Sequence, residues 1–234
     1  MRSEEKKGEE RNILLRHTLI ILGISLPAIV LIIFFLDLPA AVFFNRTEME
    51  RVYYYSREIT NIGYSIHYFA IALAGIVFSK LIYPRFQMIH LRIPATLNLQ
   101  ISQTSWFAVK VLILGGIPVH VIKMAIGRMR PHVSGNFNPL NFEPFNLHHH
   151  WHSFPSGHAQ VLFSVATIAL LIWPRAKYFF LLTAFFLALT RMTIHQHFFS
   201  DVLAGAVVGY LSTLWLHFYL WPSTKSGKES SRLS

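Results

Sequence analysis

The chain reads as all-α: a polytopic six-helix transmembrane bundle with one interfacial helix on its outer, periplasmic face. Three observations predict this. Hydrophobic residues make up 53% of the 234 positions and charged residues only 14%, where ordinary soluble domains carry about 25% charged residues. The charges cluster, leaving apolar runs long enough for the roughly 30 Å hydrocarbon core of a bilayer. Lipid gives backbone N–H and C=O groups no partners, so each run must close its hydrogen bonds within itself as a helix.

The first run, His17–Leu36, has 20 residues. It is too long for a signal-peptide core and suits a retained span. Before it, residues 1–16 mix Arg2, Lys6, Lys7, Arg11 and Arg16 with four glutamates, a charged N-terminal tail. The second run, Ile59–Ser79, is bounded by Glu58 and Lys80 and is roughly 31 Å long as a helix. A third runs from Ser105 to Gly127 with Lys110 inside it, where a long side chain can snorkel. The fourth and fifth, Gly157–Trp173 and Lys177–Ile194, are each marginal alone. Between them, Trp173-Pro174-Arg175-Ala176-Lys177 suits a tight hairpin at headgroup level, with one long broken helix as the alternative. The sixth, Val202–Trp221, carries no formal charge. Pro27 and Pro118 are expected to bend their helices. The domain plan is therefore an N-terminal tail (1–16), a six-span domain (17–221) and a disordered tail (222–234) rich in Lys, Ser and Gly.

Lys and Arg set the orientation. With the N-terminus inside, the inner side holds 13 of them and the outer side 7. Both termini are therefore expected in the cytoplasm of a bacterial inner membrane. Met49, Val52, Tyr53 and Ile59 recur among the charges of residues 37–58, a pattern for the interfacial helix. Residues 128–156 form a long connection with Gly135, Pro139 and Pro144; such loops are usually functional or disordered. The absence of cysteine rules out disulfides and thiolate metal sites. A net charge of +10 suits anionic headgroups. Basic residues spread over segment ends do not form a nucleic-acid-binding face.

Six spans place Lys123 and Arg130 at the end of the third, His158 at the start of the fourth, Arg191 at the end of the fifth and Asp201 at the start of the sixth. All then fall on one face, the outer one. Lys123, Arg130 and Arg191 supply positive donors for phosphate oxygens, arginine bidentately and lysine as a point charge. Pro155-Ser156-Gly157-His158 precedes a helix. The Ser156 hydroxyl and the free N–H groups of the first turn can cradle an anion, which Gly157 lets come close. His197 and Asp201 are four apart and share a helical face. A carboxylate on one ring nitrogen fixes the tautomer and leaves the other to attack phosphorus. His158 then serves as general acid for the leaving oxygen and afterwards as base for water. No metal or cofactor enters this chemistry. Taken singly, each pattern has an ordinary explanation as a snorkelling flank, a turn with a cap or a helix pair. Jointly, in this order and on one face, they do not. His148, His149, His150 and His152 sit in one loop and read as solvated histidines beside an anionic substrate rather than a metal site. His132 and His195 flank motif residues and read as supporting positions.

These residues resemble the type 2 phosphatidic acid phosphatase superfamily of membrane lipid phosphatases, whose pattern is Lys-x6-Arg-Pro, Pro-Ser-Gly-His and Ser-Arg-x5-His-x3-Asp. Lys123 with Arg130-Pro131 matches the first part, Pro155 to His158 the second, and Arg191, His197 and Asp201 the third. Thr190 stands where the third part has serine. The resemblance implies a six-helix core and metal-independent dephosphorylation of a phosphorylated membrane lipid. It gives His197 the role of nucleophile, Asp201 that of its orienter and His158 that of the acid. Lys123, Arg130, Ser156, Gly157 and Arg191 hold the phosphate. Lipid A 1-phosphate, undecaprenyl pyrophosphate, phosphatidylglycerol phosphate and phosphatidic acid are the candidate substrates, with the first two preferred. Phosphotransfer to another lipid, and a non-catalytic lipid-binding or transport role, are the alternatives.

Overall fold

The structure, a computed structural model, describes residues 2–88 and 93–221. The expected disordered tail (222–234) and Arg92, counted on the inner side, lie outside the described residues. All regular structure among the described residues is helical.

Helix α1 runs Arg2–Phe35, so the charged residues of 1–16 and the first apolar run share one helix. Glu, Lys and Arg are good helix formers, and Lys6 and Glu10 stand one turn apart. Nothing at position 16 stops the helix. Pro27 lies inside α1. Two short helices follow, α2 (Asp37–Phe44) and α3 (Glu50–Ile59). In α3, Tyr54 and Tyr55 are exposed among charged neighbours while Ser56 is buried. A 3-10 segment, Thr60–Gly63, leads into α4 (Ser65–Val77), then a π-helical stretch, Phe78–Ile82, and α5 (Tyr83–Met88).

The third apolar run is two helices, α6 (Ala95–Leu114) and α7 (Gly116–Ile126). The break has a local cause. Pro118 has no N–H for the Leu114 carbonyl four residues back, and its ring crowds that carbonyl. The fourth run is α8 (Gly157–Ile172) and the fifth α9 (Lys177–Thr193), joined by a 3-10 turn, Pro174–Ala176. The hairpin expected at Trp173–Lys177 is present, and α8 packs against α9. The last helix is α10 (Phe199–Leu220).

Among the described residues five helical stretches are long and apolar enough to cross a membrane: Glu4–Phe35, Thr47–Gln87, Ala95–Ile126, Pro174–Thr193 and Phe199–Leu220. Helix α8 is a shorter apolar helix of 16 residues. Apolar side chains stand exposed around the outside, among them Leu19 and Phe35 on α1, Ile71 on α4, and Phe179 and Phe186 on α9. Such a surface suits lipid rather than water.

The centre of the bundle is α8, α9 and α10, with Ala159, Leu162, Ala166, Ala184, Ala188, Met192 and Val202 buried together. Small residues let the backbones approach. A Cβ on Gly205 would stand 2.2 Å from the Ser156 carbonyl oxygen, and one on Gly209 2.3 Å from that of Gln160. Helix α1 leans on α10, where Trp215 Nε1 donates to Thr18 Oγ1 at 3.0 Å. This packing brings the end of α7, the start of α8, the end of α9 and the start of α10 to one end of the bundle.

Candidate active site

Helix α7 ends on Gly127 in the left-handed region (φ 58°), its N–H donating to the Lys123 carbonyl at 2.9 Å. A Cβ there would lie 1.8 Å from the Glu143 carbonyl oxygen, so only glycine fits the turn. The turn sends the chain from Lys123 straight into Arg128–Pro131. The long connection after it is ordered by its own backbone. Met129 N–H donates to Asn141 O, Arg130 N–H to His150 O and Ser153 N–H to Arg128 O, at 2.8–3.0 Å.

The three expected cations are held from different elements. Lys123 is buried, and its Nζ donates to the carbonyls of His152 (2.7 Å) and Ser153 (3.3 Å). Arg130 donates from Nε to His149 O (3.2 Å) and from Nη1 to Gln196 Oε1 (2.7 Å), beside His197. Arg191 is buried in α9, donates from Nη1 to Thr60 Oγ1 at 3.1 Å, and leaves Nε without a partner. Ser156 caps α8, its hydroxyl accepting from Ala159 N–H at 3.4 Å. Beside Gly157, the position a Cβ would take is open space, so a ligand can approach the first turn.

His197 sits in the short link between α9 and α10, and its N–H donates to the Arg191 carbonyl at 3.1 Å. The side chain is 3% exposed, and its Nδ1 lies 3.6 Å from Asp201 Oδ2. Asp201, fully buried, is well supplied with donors. Its Oδ2 accepts from Ser153 Oγ (2.5 Å) and Phe198 N–H (2.8 Å), and its Oδ1 from Arg128 Nη1 (2.6 Å). Burial holds the His197 imidazole well below its ordinary 6.5. The carboxylate of Asp201 opposes this, and the charges of Lys123, Arg130 and Arg191 reinforce it. The imidazole is therefore neutral near pH 7, as a nitrogen nucleophile must be.

His158 occupies the first turn of α8. Its Nε2 is buried without a protein partner, and its ring meets Tyr64 edge-on at 4.8 Å. A Cβ on Gly63 would stand 2.7 Å from the ring. Lys123, Arg130 and Arg191 lie close enough for their charges to act on His158 as well as on His197. The three sequence patterns thus converge on one place, tied by Ser156 N–H donating to Asp201 O at 2.9 Å. A cavity of about 560 Å³ opens beside it, lined by Tyr64, Gly116, His120, Lys123, Gly157 and His158. Chemically, a neutral imidazole with its Nδ1 3.6 Å from a buried carboxylate lies among fixed cations, with a second imidazole near. Such a site can bind an oxyanion and attack it.

Other sequence readings are placed as follows. Thr190 turns its hydroxyl back to the Leu187 carbonyl at 2.6 Å, so it serves its own helix. The loop histidines meet one another, His149 and His150 tilted at 3.9 Å between ring centroids and His148 stacked on His150 at 6.1 Å. Among the described residues no three His, Asp or Glu side chains are arranged to hold a metal ion. His132 and His195 meet through the His195 carbonyl, with His195 itself in the left-handed region (φ 55°). Burial lowers both from the ordinary histidine range.

Several residues of the site were not legible as such. Arg128 counted only as an outer-side cation beside a motif, yet it is fully buried and bridges Asp37 to Asp201. Asp37 is a lone acid between Leu36 and Leu38 at the end of an apolar run, and an ionisable residue so placed is a signal in itself. Ser153, Gln196 and Thr60 had no signal, because each acts through a contact distant in sequence.

A sequence profile of the PAP2 superfamily matches residues 104–225. The chain is 32% identical over 111 residues to a lipid A 1-phosphatase of Rhizobium etli, covering 47% of this chain and 48% of that protein. It is 34% identical over 98 residues to a lipid A 1-phosphatase of Rhizobium johnstonii, covering 42% and 40%. The matched regions thus span about half the length of these curated relatives. The fold is similar to the crystal structure of a transmembrane PAP2 type phosphatidylglycerolphosphate phosphatase from Bacillus subtilis. The TM-score is 0.53 at 19% identity, over 88% of this chain and 93% of that one.

Proposed function

The chain belongs to the PAP2 superfamily, and we propose that it is an integral membrane phosphatase that releases phosphate from a lipid phosphate or pyrophosphate through a phosphohistidine. The observation that carries this reading is the contact of His197 with Asp201 under Lys123, Arg130 and Arg191. In the first step His197 Nε2 attacks phosphorus, the bond from phosphorus to the lipid oxygen breaks, and His158 gives that oxygen its proton. Lys123, Arg130 and Arg191, with the Ser156 hydroxyl and the N–H groups at Gly157, hold the equatorial oxygens as their charge shifts. In the second step His158 takes a proton from water, whose oxygen displaces the imidazole. Inorganic phosphate leaves and both histidines are restored. No step uses a metal.

The site gathers Asp37 after α1, Gly63 before α4, Lys123 in the last turn of α7, His158 at the start of α8, Arg191 at the end of α9 and Asp201 at the start of α10. With the Lys and Arg bias, this supports six spans, both termini in the cytoplasm of a bacterial inner membrane, and the site on the periplasmic face. On this reading residues 17–221 form the catalytic domain, residues 2–16 the cytoplasmic start of α1, and α3, with its tyrosines among charges, rests at the outer headgroup level. Lipid A 1-phosphate is the first candidate substrate, since that is the activity named for the two Rhizobium relatives; undecaprenyl pyrophosphate is the second.

The test is phosphate release by purified protein in detergent. The panel is lipid A bearing a 1-phosphate, undecaprenyl pyrophosphate, phosphatidylglycerol phosphate and phosphatidic acid. Release from lipid A well above the others is expected. Release from none of the four overturns the reading.

A further inference from the structure

The buried polar contacts extend well beyond His197 and Asp201. Arg128 is 0% exposed and makes every one of its contacts inside the protein. Its Nε donates to Pro139 O (3.0 Å), its Nη1 to Asp201 Oδ1 (2.6 Å) and Ser200 Oγ (2.7 Å), and its Nη2 to Asp37 Oδ2 (2.8 Å). Its guanidinium also lies over the Phe198 ring at 4.3 Å. Asp37, at the start of α2 and 1% exposed, accepts from the N–H of Ser200 (3.0 Å) and from its hydroxyl. Three segments separated by 91 and 73 residues therefore meet on one guanidinium.

The charge balance of this cluster gives it a meaning. Asp37 and Asp201 contribute two negative charges and Arg128 one positive. The groups facing Asp201 are Arg128, His197, Ser153 and the Phe198 N–H, with Lys123 and Arg130 also within reach of its charge, and those facing His197 are Asp201, Lys123, Arg130 and Arg191. Were Arg128 paired with Asp201 alone, it would cancel the one negative charge that acts on His197 among the described residues. His197 would then face three cations and a neutralised carboxylate. With Asp37 on the far side of the guanidinium, the trio Asp37, Arg128 and Asp201 keeps a net negative charge beside those cations. In a low-dielectric interior such a difference acts strongly.

We infer that Asp37 is a positioning residue for the reaction: by sharing Arg128, it leaves Asp201 enough negative charge to hold His197 as the Nδ1–H tautomer and to stabilise the positive phospho-imidazole. This rests on the phosphatase reading above. Arg128 is the link through which Asp37 acts, and Ser200 fixes the distance between them. Neither Asp37 nor Arg128 need touch the substrate.

Asp37→Asn keeps the shape and removes the charge. Expected are a loss of kcat of about 10- to 100-fold, the range seen when outer partners that orient a histidine are removed, and KM within about twofold. The acidic limb of the kcat profile should move to lower pH, because the phospho-imidazole and imidazolium forms have lost a stabilising charge. Asp37→Glu should recover part of kcat. An unchanged kcat and pH limb in a folded Asp37→Asn overturns the inference. So does a loss of kcat that follows thermal stability with the limb unmoved. If Asp37→Asn does not fold, Ser200→Ala is read by the same two measures, and an unmoved limb there overturns it equally. A wild-type protein that releases phosphate from no lipid fails the phosphatase reading instead. The imidazole 15N shifts of His197 then decide. A fall in the Nδ1–H tautomer on Asp37→Asn supports the inference, and an unchanged ratio overturns it.

Discussion

Asp201→Asn removes one charge and almost no volume, and the contacts of Asp201 allow its effect to be worked out. The carboxylate accepts from Arg128 Nη1 at 2.6 Å on one oxygen, and from Ser153 Oγ at 2.5 Å and Phe198 N–H at 2.8 Å on the other. An amide must turn its NH₂ toward one of these donor sets, so at least one buried donor loses its acceptor whichever way it flips. Removing one partner of a buried ion pair costs about 3–5 kcal/mol. Because Arg128 keeps Asp37 at 2.8 Å, the stability loss is expected at the low end, about 3 kcal/mol. The effect on turnover is larger. On the proposed mechanism His197 loses the carboxylate 3.6 Å from its Nδ1, which selects its tautomer as the ring closes on it and balances its cationic form. Loss of the corresponding carboxylate in a serine-protease triad lowers kcat by roughly 10,000-fold. A drop of 1,000- to 10,000-fold, roughly 4–5 kcal/mol of barrier, is expected here, with KM little changed. The assay is single-turnover phosphate release with acid trapping of the phosphoenzyme, alongside thermal unfolding in the same detergent. A folded Asp201→Asn protein that turns over within about tenfold of the wild type would refute the assignment of Asp201 as the brace of His197.

His197→Ala and His158→Ala should each abolish phosphate release with expression and folding intact; substantial residual turnover in either would overturn the role given to it. Activity should survive EDTA, and a loss restored by a divalent ion would count against direct attack by histidine. Gly209→Val should prevent a folded bundle from being recovered, because even its Cβ meets the Gln160 carbonyl at 2.3 Å and neither backbone can yield; a normal elution profile and melting curve would contradict the close α8–α10 contact. Acidification should destabilise the protein. His132, His195 and His197 are all held below their ordinary 6.5 when folded, so between that value and their folded values the unfolded chain binds more protons. Their contribution is fully present above about pH 7 and falls as pH drops through the ordinary histidine range. Melting temperatures in detergent between pH 8 and pH 5 measure this, and a flat or rising profile would refute it.

The composition and the spacing of charges were enough to fix an all-helical membrane architecture, since apolar runs of this length have no other way to close their hydrogen bonds. The same reasoning placed Lys123, Arg130, His158, Arg191 and Asp201 at segment ends, and segment ends alternate between two faces, so their meeting was legible before any packing was known. The hairpin at Trp173–Lys177 followed from a proline and two cations between two apolar runs. Helix boundaries were less legible. The strong helix formers of 1–16 carry α1 to Arg2, and the break at Gly115 sits a turn before the proline that causes it.

The sequence by itself determined which groups are candidates for phosphate chemistry, because three cations, two histidines and one carboxylate stand at ends of apolar segments, and spacing within one helix is local. Only the tertiary structure decided how they are held. Ser153 against Asp201, Gln196 against Arg130 and Thr60 against Arg191 are contacts between segments far apart in the chain, and no local pattern encodes which of many polar residues will meet. Arg128 makes the case most fully. In sequence it is one more cation beside a motif; in the fold, buried from water, its charge is paired with Asp37 and Asp201, and that pairing joins α2 to the site.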